Sequence, residues 1–400
     1  MTSCGCGSSP NLARARLGRD IRARQFREYF VAVQPVAIAA AVLGRPVRSA
    51  TVVAQTPIAY DPFLAGRHVD RVLGVAETPD GDRLEWRAVV KRTVGPGLRA
   101  ARRELAAYRI GLADPAPGVP FRGPALLAWE EDAGRVELWL EWLTDEHDGT
   151  WAPDRFGVAA LHVGAWDVRA GTLALPSDFD SEDAWAERHG QPERLGEALA
   201  ELESLRYAPK SPELTAQLED GDFGRTRALI ASTPRRIERL AGLPQTLLHH
   251  DLVRSNLFSL SRGETAAIDW ENVGRGPYGV DLAPLVVGSV RRGEASADDI
   301  ASIEEAVLAG YVLALRQAGV ANEPEVREAY RLAVGLRWHV VLGTIRAWLD
   351  PTMRGMRGSR RGEPRADGLR NLVALSRHIL DVASAEETSR RRDAGPSSPR

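Results

Sequence analysis

The sequence has very few cysteines. Cys4 and Cys6 are its only two, and both lie in a segment rich in glycine and serine. Two thiolates cannot complete a four-ligand zinc site, and a disulfide between residues two positions apart would be strained. We therefore expect neither a structural zinc site nor a disulfide framework. Lysine is equally scarce, since Lys91 and Lys210 stand beside fifty arginines. The arginine excess reflects coding bias, whereas the place of each lysine is informative.

The sequence also lacks an excess of charge and a long apolar run. Its formal net charge is −2 over 400 residues, which argues against nucleic acid or an anionic membrane as the main partner. The longest apolar run, residues 29–43, contains Gln34 and Pro35. It is too short to span a bilayer and shows no signal-peptide cleavage pattern. We expect a cytoplasmic protein with no nucleic-acid or membrane partner, and nothing in the sequence indicates its oligomeric state.

The most informative segment runs from residue 249 to residue 258. His249, Asp251 and Asn256 form the pattern His-x-Asp-x-x-x-x-Asn. Chance would produce it roughly six times in a thousand chains of this composition, so a false positive is rare. An apolar stretch, a turn at residues 261–264 and a second short strand then lead to Asp269. One carboxylate beside an acceptor hydroxyl, with an amide and a second carboxylate on magnesium, is the catalytic half of a kinase-type phosphotransferase.

A candidate nucleotide-binding half precedes this segment. Three segments have the composition of β-strands, residues 49–60, 68–77 and 84–91, and the third ends in Lys91. Such a strand lysine contacts the α- and β-phosphates of a nucleotide in kinases. Glu104 follows in a segment that reads as a helix, where it could pair with the ammonium. A solvated lysine at a strand end is the simpler alternative, and the downstream motif favours the functional interpretation.

With these residues the chain resembles the aminoglycoside phosphotransferase family, part of the kinase-like fold that includes choline and fructosamine kinases. The resemblance implies a role for each matching residue. Asp251 would accept or orient the proton of the acceptor hydroxyl, and Asn256 and Asp269 would hold magnesium. Lys91 would contact the phosphates of ATP or GTP, with Glu104 as its ion-pair partner.

The resemblance also implies structural residues and a hinge. His249 would be a scaffold residue of the catalytic loop, hydrogen-bonded to backbone. Asp281 would begin a helix and anchor that loop. The strand of residues 135–143 would pass into the hinge between two lobes, where backbone groups of Glu141 and Leu143 would bind the adenine edge. The polar, acidic loop of residues 144–150 follows this hinge.

Two segments depart from the family pattern. The loop that should cover the phosphates, residues 61–67, holds a single glycine, Gly66. Backbone cradling of phosphate by this loop is therefore not supported, and Arg67 or His68 are the side chains that could substitute. The triplet Asp222-Phe223-Gly224 spells a kinase metal motif but precedes the catalytic loop, whereas that triplet belongs after it. We interpret Asp222 as a loop or helix-cap residue.

We expect an α+β, two-lobed, protein-kinase-like fold. A partly helical extension, residues 1–48 with helix up to Pro35, would precede a nucleotide-binding lobe of residues 49–143. A larger, mostly helical lobe, residues 144–386, would bind the acceptor, and residues 387–400 would be a disordered tail. Apolar residues recur at helical spacing in five segments of this lobe and its end, which are residues 195–205, 225–241, 300–315, 323–350 and 366–386.

The expected activity is magnesium-dependent transfer of the γ-phosphoryl group of ATP or GTP to a hydroxyl of a small molecule. Candidate acceptor contacts are Glu271, residues 145–148, and Trp338 or His339, while His162 reads as a core or interlobe residue. A nucleotide-binding pseudokinase or regulatory module of the same fold is the alternative. A metal-dependent hydrolase with His249, His250 and Asp251 as ligands is a third hypothesis, although adjacent histidines on an extended strand chelate one ion poorly.

Overall fold

The structure is a computed structural model that describes residues 34–58, 66–147, 149–173, 179, 190–208, 220–320, 323–349 and 365–393. The two cysteines, Lys210, Asp148 and residues 11–33, for which we predicted a helix, lie outside these residues. None of the helices in the described part is long and apolar enough to cross a membrane.

The N-terminal lobe is a five-stranded antiparallel sheet. Its strands are β1 (Ser49–Pro57), β2 (Arg67–Glu77), β3 (Arg83–Val94), β5 (Leu126–Glu131) and β6 (Arg135–Glu141), in the order β1-β2-β3-β6-β5. Successive side chains of a strand point to opposite faces, and on β3 Trp86, Ala88 and Val90 are buried on one face. Helix α1 (Pro35–Leu43) covers that face through Ile38 and Ala39.

Pro35 opens helix α1, whereas the helix that we predicted before it falls on residues outside the described part. It occupies the first turn, where the missing N–H would have no intrahelical partner and the fixed φ suits a helix. Proline is compatible with the start of a helix as well as with its end. At Pro35 a helix starts, because the apolar residues that follow it pack against the sheet.

Alternation along β3 turns Lys91 toward the other face of the sheet, where helix α2 (Leu98–Arg109) packs. The buried residues of α2 recur at helical spacing and so lie on one side of the helix, namely Ala101, Glu104, Leu105 and Tyr108. Glu104 is thus buried because it lies on the same side of the helix as these apolar residues, and it faces β3.

The C-terminal lobe is mostly helical. Its long central pair is α3 (Pro153–Ala170) and α7 (Ile300–Ala318). These two backbones touch at Gly157 and Gly310, because a Cβ added at Gly310 would lie 2.1 Å from the carbonyl oxygen of Gly157. The remaining helices are α4 (Pro192–Tyr207), α5 (Asp220–Ala231), α6 (Thr233–Ala241), α8 (Glu323–Gly335), α9 (Trp338–Leu349) and α10 (Arg365–Asp393).

Three helical predictions need correction. The segment of residues 323–350 forms two helices, since α8 ends at Gly335 and α9 begins at Trp338; a Cβ added at Gly335 would lie 2.7 Å from the Nη1 of Arg236. The segment of residues 225–241 is likewise divided, and Pro234 begins the second helix. Helix α10 continues to Asp393, past the tail boundary expected at residue 387, because alanine, glutamate and arginine favour helix there.

Two small sheets lie between the large sheet and the helices. Strand β7 (Gln245–Leu248) pairs with β10 (Gly274–Pro277). Strands β8 (Leu257–Ser259) and β9 (Thr265–Ala267) form a hairpin, and β4 (Phe121–Arg122) extends it in parallel. The loop after β7 carries the His-x-Asp motif, and Asp269 follows β9, so these short strands place the two motif segments side by side.

Candidate active site

The backbone is held in an unfavourable conformation at two points of the site. His250 and Asp269 both have a φ of 65°, and they are the only residues of the described part other than glycine with positive φ. Left-handed backbone costs a non-glycine residue of the order of 1–3 kcal/mol and persists only where surrounding contacts impose it. Both residues belong to the motif segments, so the strain coincides with the candidate catalytic groups.

Asp281 holds His250 in its left-handed backbone conformation. Its carboxylate accepts the backbone N–H of His249 at 2.6 Å and that of His250 at 2.7 Å. Burial raises the pKa of Asp281 to about 7, although the two N–H groups act in the opposite direction. The residue lies just before a helical turn, Pro284–Gly288, that is buried beneath the loop. Asp281 therefore anchors the loop that begins at His249.

His249 connects the loop to the strand end that carries Asp269. Its Nε2–H donates to the carbonyl oxygen of Ile268 at 2.9 Å, and its Nδ1 accepts the N–H of Asp251 at 3.4 Å. Its ring packs edge-on against Trp270, with 4.9 Å between centroids. Burial lowers the pKa of His249 to about 4, so the ring is neutral at pH 7. These bonds leave it no proton-transfer partner and fit a scaffold role.

Asp251 and Asn256 form one hydrogen-bonded unit. The Asn256 Nδ2 donates to the backbone oxygen of Asp251 at 2.9 Å and to its carboxylate at 3.1 Å. The backbone carbonyl oxygen of Asn256 accepts the N–H of Ile268 at 2.9 Å, which places Asn256 close to Asp269. The Asp251 side chain remains 30% exposed, and Arg292 lies 3.6 Å from its Oδ2. Asp251 is thus oriented by its neighbours and accessible from outside.

Lys91 brings the two halves of the chain together. Its Nζ lies 2.7 Å from Glu104 and 2.5 Å from Asp269. Burial alone would lower the pKa of Lys91, but the carboxylates of Asp269 and Glu104 outweigh it and raise the pKa above its ordinary value. Burial raises the pKa of Glu104 to about 7 in spite of Lys91. Burial also raises the pKa of Asp269, but the charge and hydrogen bond of Lys91 outweigh burial and lower that pKa below its ordinary value.

A second ion pair lies next to the first. Arg67, at the start of β2, is ion-paired with Glu271, in the turn that follows Asp269. The Arg67 side chain is only 1% exposed, whereas the neighbouring His68 is exposed. Glu271, one of the candidate acceptor contacts, therefore contacts the N-terminal lobe in this structure. Gly66 has a φ of 89°, and a Cβ there would lie 2.3 Å from the Val94 oxygen, so this glycine is required by the entry to β2.

The predicted hinge residues follow the end of β6. The Glu141 carboxylate accepts two hydrogen bonds from Arg122, at 2.6 and 3.0 Å, and the N–H of Ala125 at 3.0 Å. Its own N–H donates to Ala125 within the sheet. Leu143 is half-buried, and among the described residues its backbone N–H has no hydrogen-bond partner. The Glu141 carboxylate is therefore engaged within the protein, whereas the N–H of Leu143 is left to bind a ligand.

The acidic loop after the hinge is anchored to the catalytic loop by Arg254. This arginine donates to Asp145 at 2.7 Å and to the His147 oxygen at 2.9 Å, and its guanidinium lies 4.1 Å from the Trp151 ring centroid. Asp145 also accepts the N–H of Ser259 at 2.9 Å. Asp145 is therefore engaged within the protein, in contrast to the acceptor contact that we had considered for this stretch.

The remaining candidates divide between core and site. His162 is buried, and its Nδ1 lies 2.9 Å from the Thr265 hydroxyl, which makes it a core residue that contacts the hairpin. Trp338 is also buried. His339 is half-buried and lies 3.5 Å from Arg291. No sequence motif indicates Arg292, because only the three-dimensional fold places it against Asp251.

Asp222, in the triplet that precedes the catalytic loop, lies in the first turn of α5, 3.6 Å from Arg225. It takes no part in the cluster around Lys91. Asp269 follows strand β9 and contacts Lys91, which places it in that cluster.

Comparison with known proteins agrees with this geometry. The profile of the phosphotransferase enzyme family matches residues 78–313, more than half of the chain. An aminoglycoside phosphotransferase from Alicyclobacillus acidocaldarius superposes with a TM-score of 0.50 at 14% identity, covering 83% of this chain and 94% of that one. The predicted two-lobed, kinase-like fold is thereby confirmed.

Two other solved structures are more distant. An aminoglycoside phosphotransferase from Streptomyces rimosus has a TM-score of 0.37 at 18% identity, covering 71% of this chain and 92% of that one. An amicoumacin kinase in complex with AMP-PNP and Ca²⁺ has a TM-score of 0.46 at 12% identity, covering 82% and 88%. None of the curated proteins matches the chain.

Proposed function

Because the chain belongs to the phosphotransferase enzyme family, we propose that it transfers the γ-phosphoryl group of ATP or GTP to a hydroxyl of a small molecule. The observation that carries the proposal is the contact of Lys91 with both Glu104 and Asp269. One ammonium between a helix carboxylate and a strand-end carboxylate is the arrangement that kinases of this fold use around nucleotide phosphates.

Asp251 is the proposed base. It is accessible, it is oriented by Asn256, and its carboxylate can accept or orient the proton of an acceptor hydroxyl placed beside it. His249 is excluded from that role, because its two ring nitrogens are committed to Ile268 and to the N–H of Asp251.

The donors near Asp251 suit magnesium. Within the described residues no group of three or more His, Cys, Asp or Glu side chains could hold a metal ion unaided. Magnesium is usually bound by one or two protein oxygens together with substrate phosphates. Asp269 offers a carboxylate, and Asn256 offers Oδ1 because its Nδ2 already bonds to Asp251. When bound, magnesium would neutralise charge on the transferring phosphoryl group.

Lys91 is the proposed contact of the nucleotide phosphates, and Glu104 holds its ammonium in place. Arg67 supplies a second buried cation beside them, since its charge acts on Lys91 and Asp269. A guanidinium at this position can replace the backbone cradle that a glycine-rich loop provides elsewhere. The backbone of Glu141 and Leu143 would bind the adenine or guanine edge.

The hydrolase hypothesis loses support from the histidine contacts. The Nε2 of His249 bonds to Ile268, whereas the Nε2 of His250 lies 3.2 Å from the oxygen of Arg275. The two rings therefore bond to different strand ends and do not converge on one ion. Degenerate members of such folds usually lose at least one essential residue, so the presence of Lys91, Asp251, Asn256 and Asp269 argues against the pseudokinase alternative.

A nucleotide-consumption screen tests the proposal. ADP or GDP release would be measured with magnesium over aminoglycosides, macrolides, sugars and amino alcohols. We expect at least one acceptor to raise nucleotide consumption above hydrolysis by water, and Asp251→Asn to suppress the increase. Nucleotide binding without transfer to any acceptor or to water would favour a regulatory module.

A further inference from the structure

We propose that the acceptor carries an anionic group, a carboxylate or a phosphate, which Arg292 and the arginines beside it bind next to the reacting hydroxyl. This inference rests on the proposed phosphotransfer at Asp251 and adds the chemical class of the acceptor.

Arg292 lies at the mouth of the candidate active site. Its Nη2 is 3.6 Å from the Asp251 carboxylate, and its Nη1 donates to the Ser255 hydroxyl at 3.1 Å. Its side chain remains 33% exposed. The guanidinium is thus fixed against the catalytic loop and still reachable by a ligand that approaches Asp251.

Further arginines lie beside Arg292. Arg291 is 3.5 Å from the Nε2 of His339, at the start of α9. Burial, followed by the charges of Arg291, Arg337 and Arg194, holds the pKa of His339 well below its ordinary value. His339 is therefore neutral and adds no charge, while Arg291 adds a second guanidinium next to Arg292 in the sequence.

The carboxylates near the loop are already engaged. Glu271 is ion-paired with Arg67, and Asp145 with Arg254. Glu294 accepts the N–H of Ser255 at 3.1 Å, and Arg292 lies close enough to act on its pKa, which burial nevertheless raises. Asp281 is buried beneath the loop and bonds to two backbone N–H groups. Four carboxylates near the loop, those of Glu271, Asp145, Glu294 and Asp281, are thus already bonded within the protein.

The charge balance decides between acceptor classes. A polycationic acceptor would meet the like charge of Arg292 directly beside the reacting hydroxyl. A carboxylate or phosphate would instead accept charge-assisted hydrogen bonds from a planar guanidinium, which binds such groups in a bidentate manner. An acceptor with an anion close to its hydroxyl fits both Asp251 and Arg292.

Binding of small anions to the full chain tests the inference. The protein is first saturated with magnesium and AMP-PNP, so that the nucleotide site is filled. Inorganic phosphate, D-glucose 6-phosphate, D-glucuronate, D-glucose and D-glucosamine are then titrated separately by calorimetry. We expect saturable binding of phosphate and of at least one anionic sugar, and none of glucose or glucosamine. The phosphate and carboxylate arms distinguish the two anionic groups.

Variants assign the binding to Arg292. We expect Arg292→Gln to weaken phosphate binding at least tenfold, Arg292→Lys to restore part of it, and Arg262→Gln, in the exposed hairpin turn, to leave it unchanged. Unaltered phosphate binding in Arg292→Gln would overturn the assignment, and so would wild-type protein that binds no phosphate or prefers glucosamine. AMP-PNP binding reports separately on the proposed phosphotransfer, so its loss would refute that proposal instead.

Discussion

Lys91 and Asp269 are 178 positions apart in the sequence, and the ammonium of one lies 2.5 Å from the carboxylate of the other. The first belongs to the N-terminal sheet and the second follows a strand of the C-terminal lobe. Such a contact between two strongly desolvated groups is costly unless both are paired, and Glu104 completes the pairing. The lobes are therefore joined by charge at the point where a triphosphate would enter.

Asp251→Asn should abolish turnover with little loss of stability. Removal of a catalytic base costs roughly a hundredfold to ten-thousandfold in rate, whereas the amide keeps the size of a partly exposed side chain and should change the free energy of unfolding by about 0.5 kcal/mol or less. Nucleotide consumption and thermal unfolding measure the two effects. Activity equal to wild type would refute the role of Asp251.

Asp269→Ala should remove magnesium-dependent nucleotide binding. Asp222→Ala is the matched control, because Asp222 belongs to the triplet that precedes the catalytic loop and lies in a helix. Calorimetric titration with AMP-PNP, with and without magnesium, distinguishes them. If Asp222→Ala lost the magnesium dependence and Asp269→Ala kept it, the metal assignment would be wrong.

Arg67→Gln should raise the KM for ATP about tenfold, as expected when one hydrogen bond to a charged group, worth about 1.5 kcal/mol, is lost. His68→Gln is the control on the same strand, since its side chain is exposed while that of Arg67 is buried. Steady-state kinetics at fixed acceptor concentration would measure both. Equal KM values in the two variants would show that Arg67 does not contact the phosphates.

His162 should make stability depend on pH. Burial, followed by the charge of Arg155, lowers the pKa of His162 from 6.5 to about 4. Between these values the unfolded chain is protonated and the folded chain is not, so stability is lost as pH falls through this window. We expect His162→Gln to reduce the slope of unfolding free energy against pH from 6.5 to 4.5. Parallel slopes for variant and wild type would contradict the assignment.

The parts of the fold that could be predicted are those with local signals. Alternation marked β2 and β3, and the spacing of apolar residues marked α2 and α7. Helix ends were predicted less well, because Pro35 is compatible with a start or a stop and Gly335 is required by the distant Arg236. Local sequence carries no information about such tertiary contacts.

The same limit applies to the site. Asp251, Asn256 and Asp269 could be found because their spacing is fixed by one loop and one hairpin. The pairing of Lys91 with Glu104 followed from a strand and the next helix. The pairing of Arg67 with Glu271, 204 positions away, and the approach of Arg292 to Asp251 depend on how the lobes meet, and no motif encodes them.

The left-handed backbone of His250 and Asp269 has a consequence for laboratory evolution. A glycine in place of His250 would relax the chain there, yet it would free the loop from Arg275 and widen the range of Asp251 positions. Selection for heat resistance alone should therefore enrich changes at position 250 that slow the enzyme. Selection for turnover should retain His250, so selection for heat resistance and selection for turnover should favour different residues at position 250.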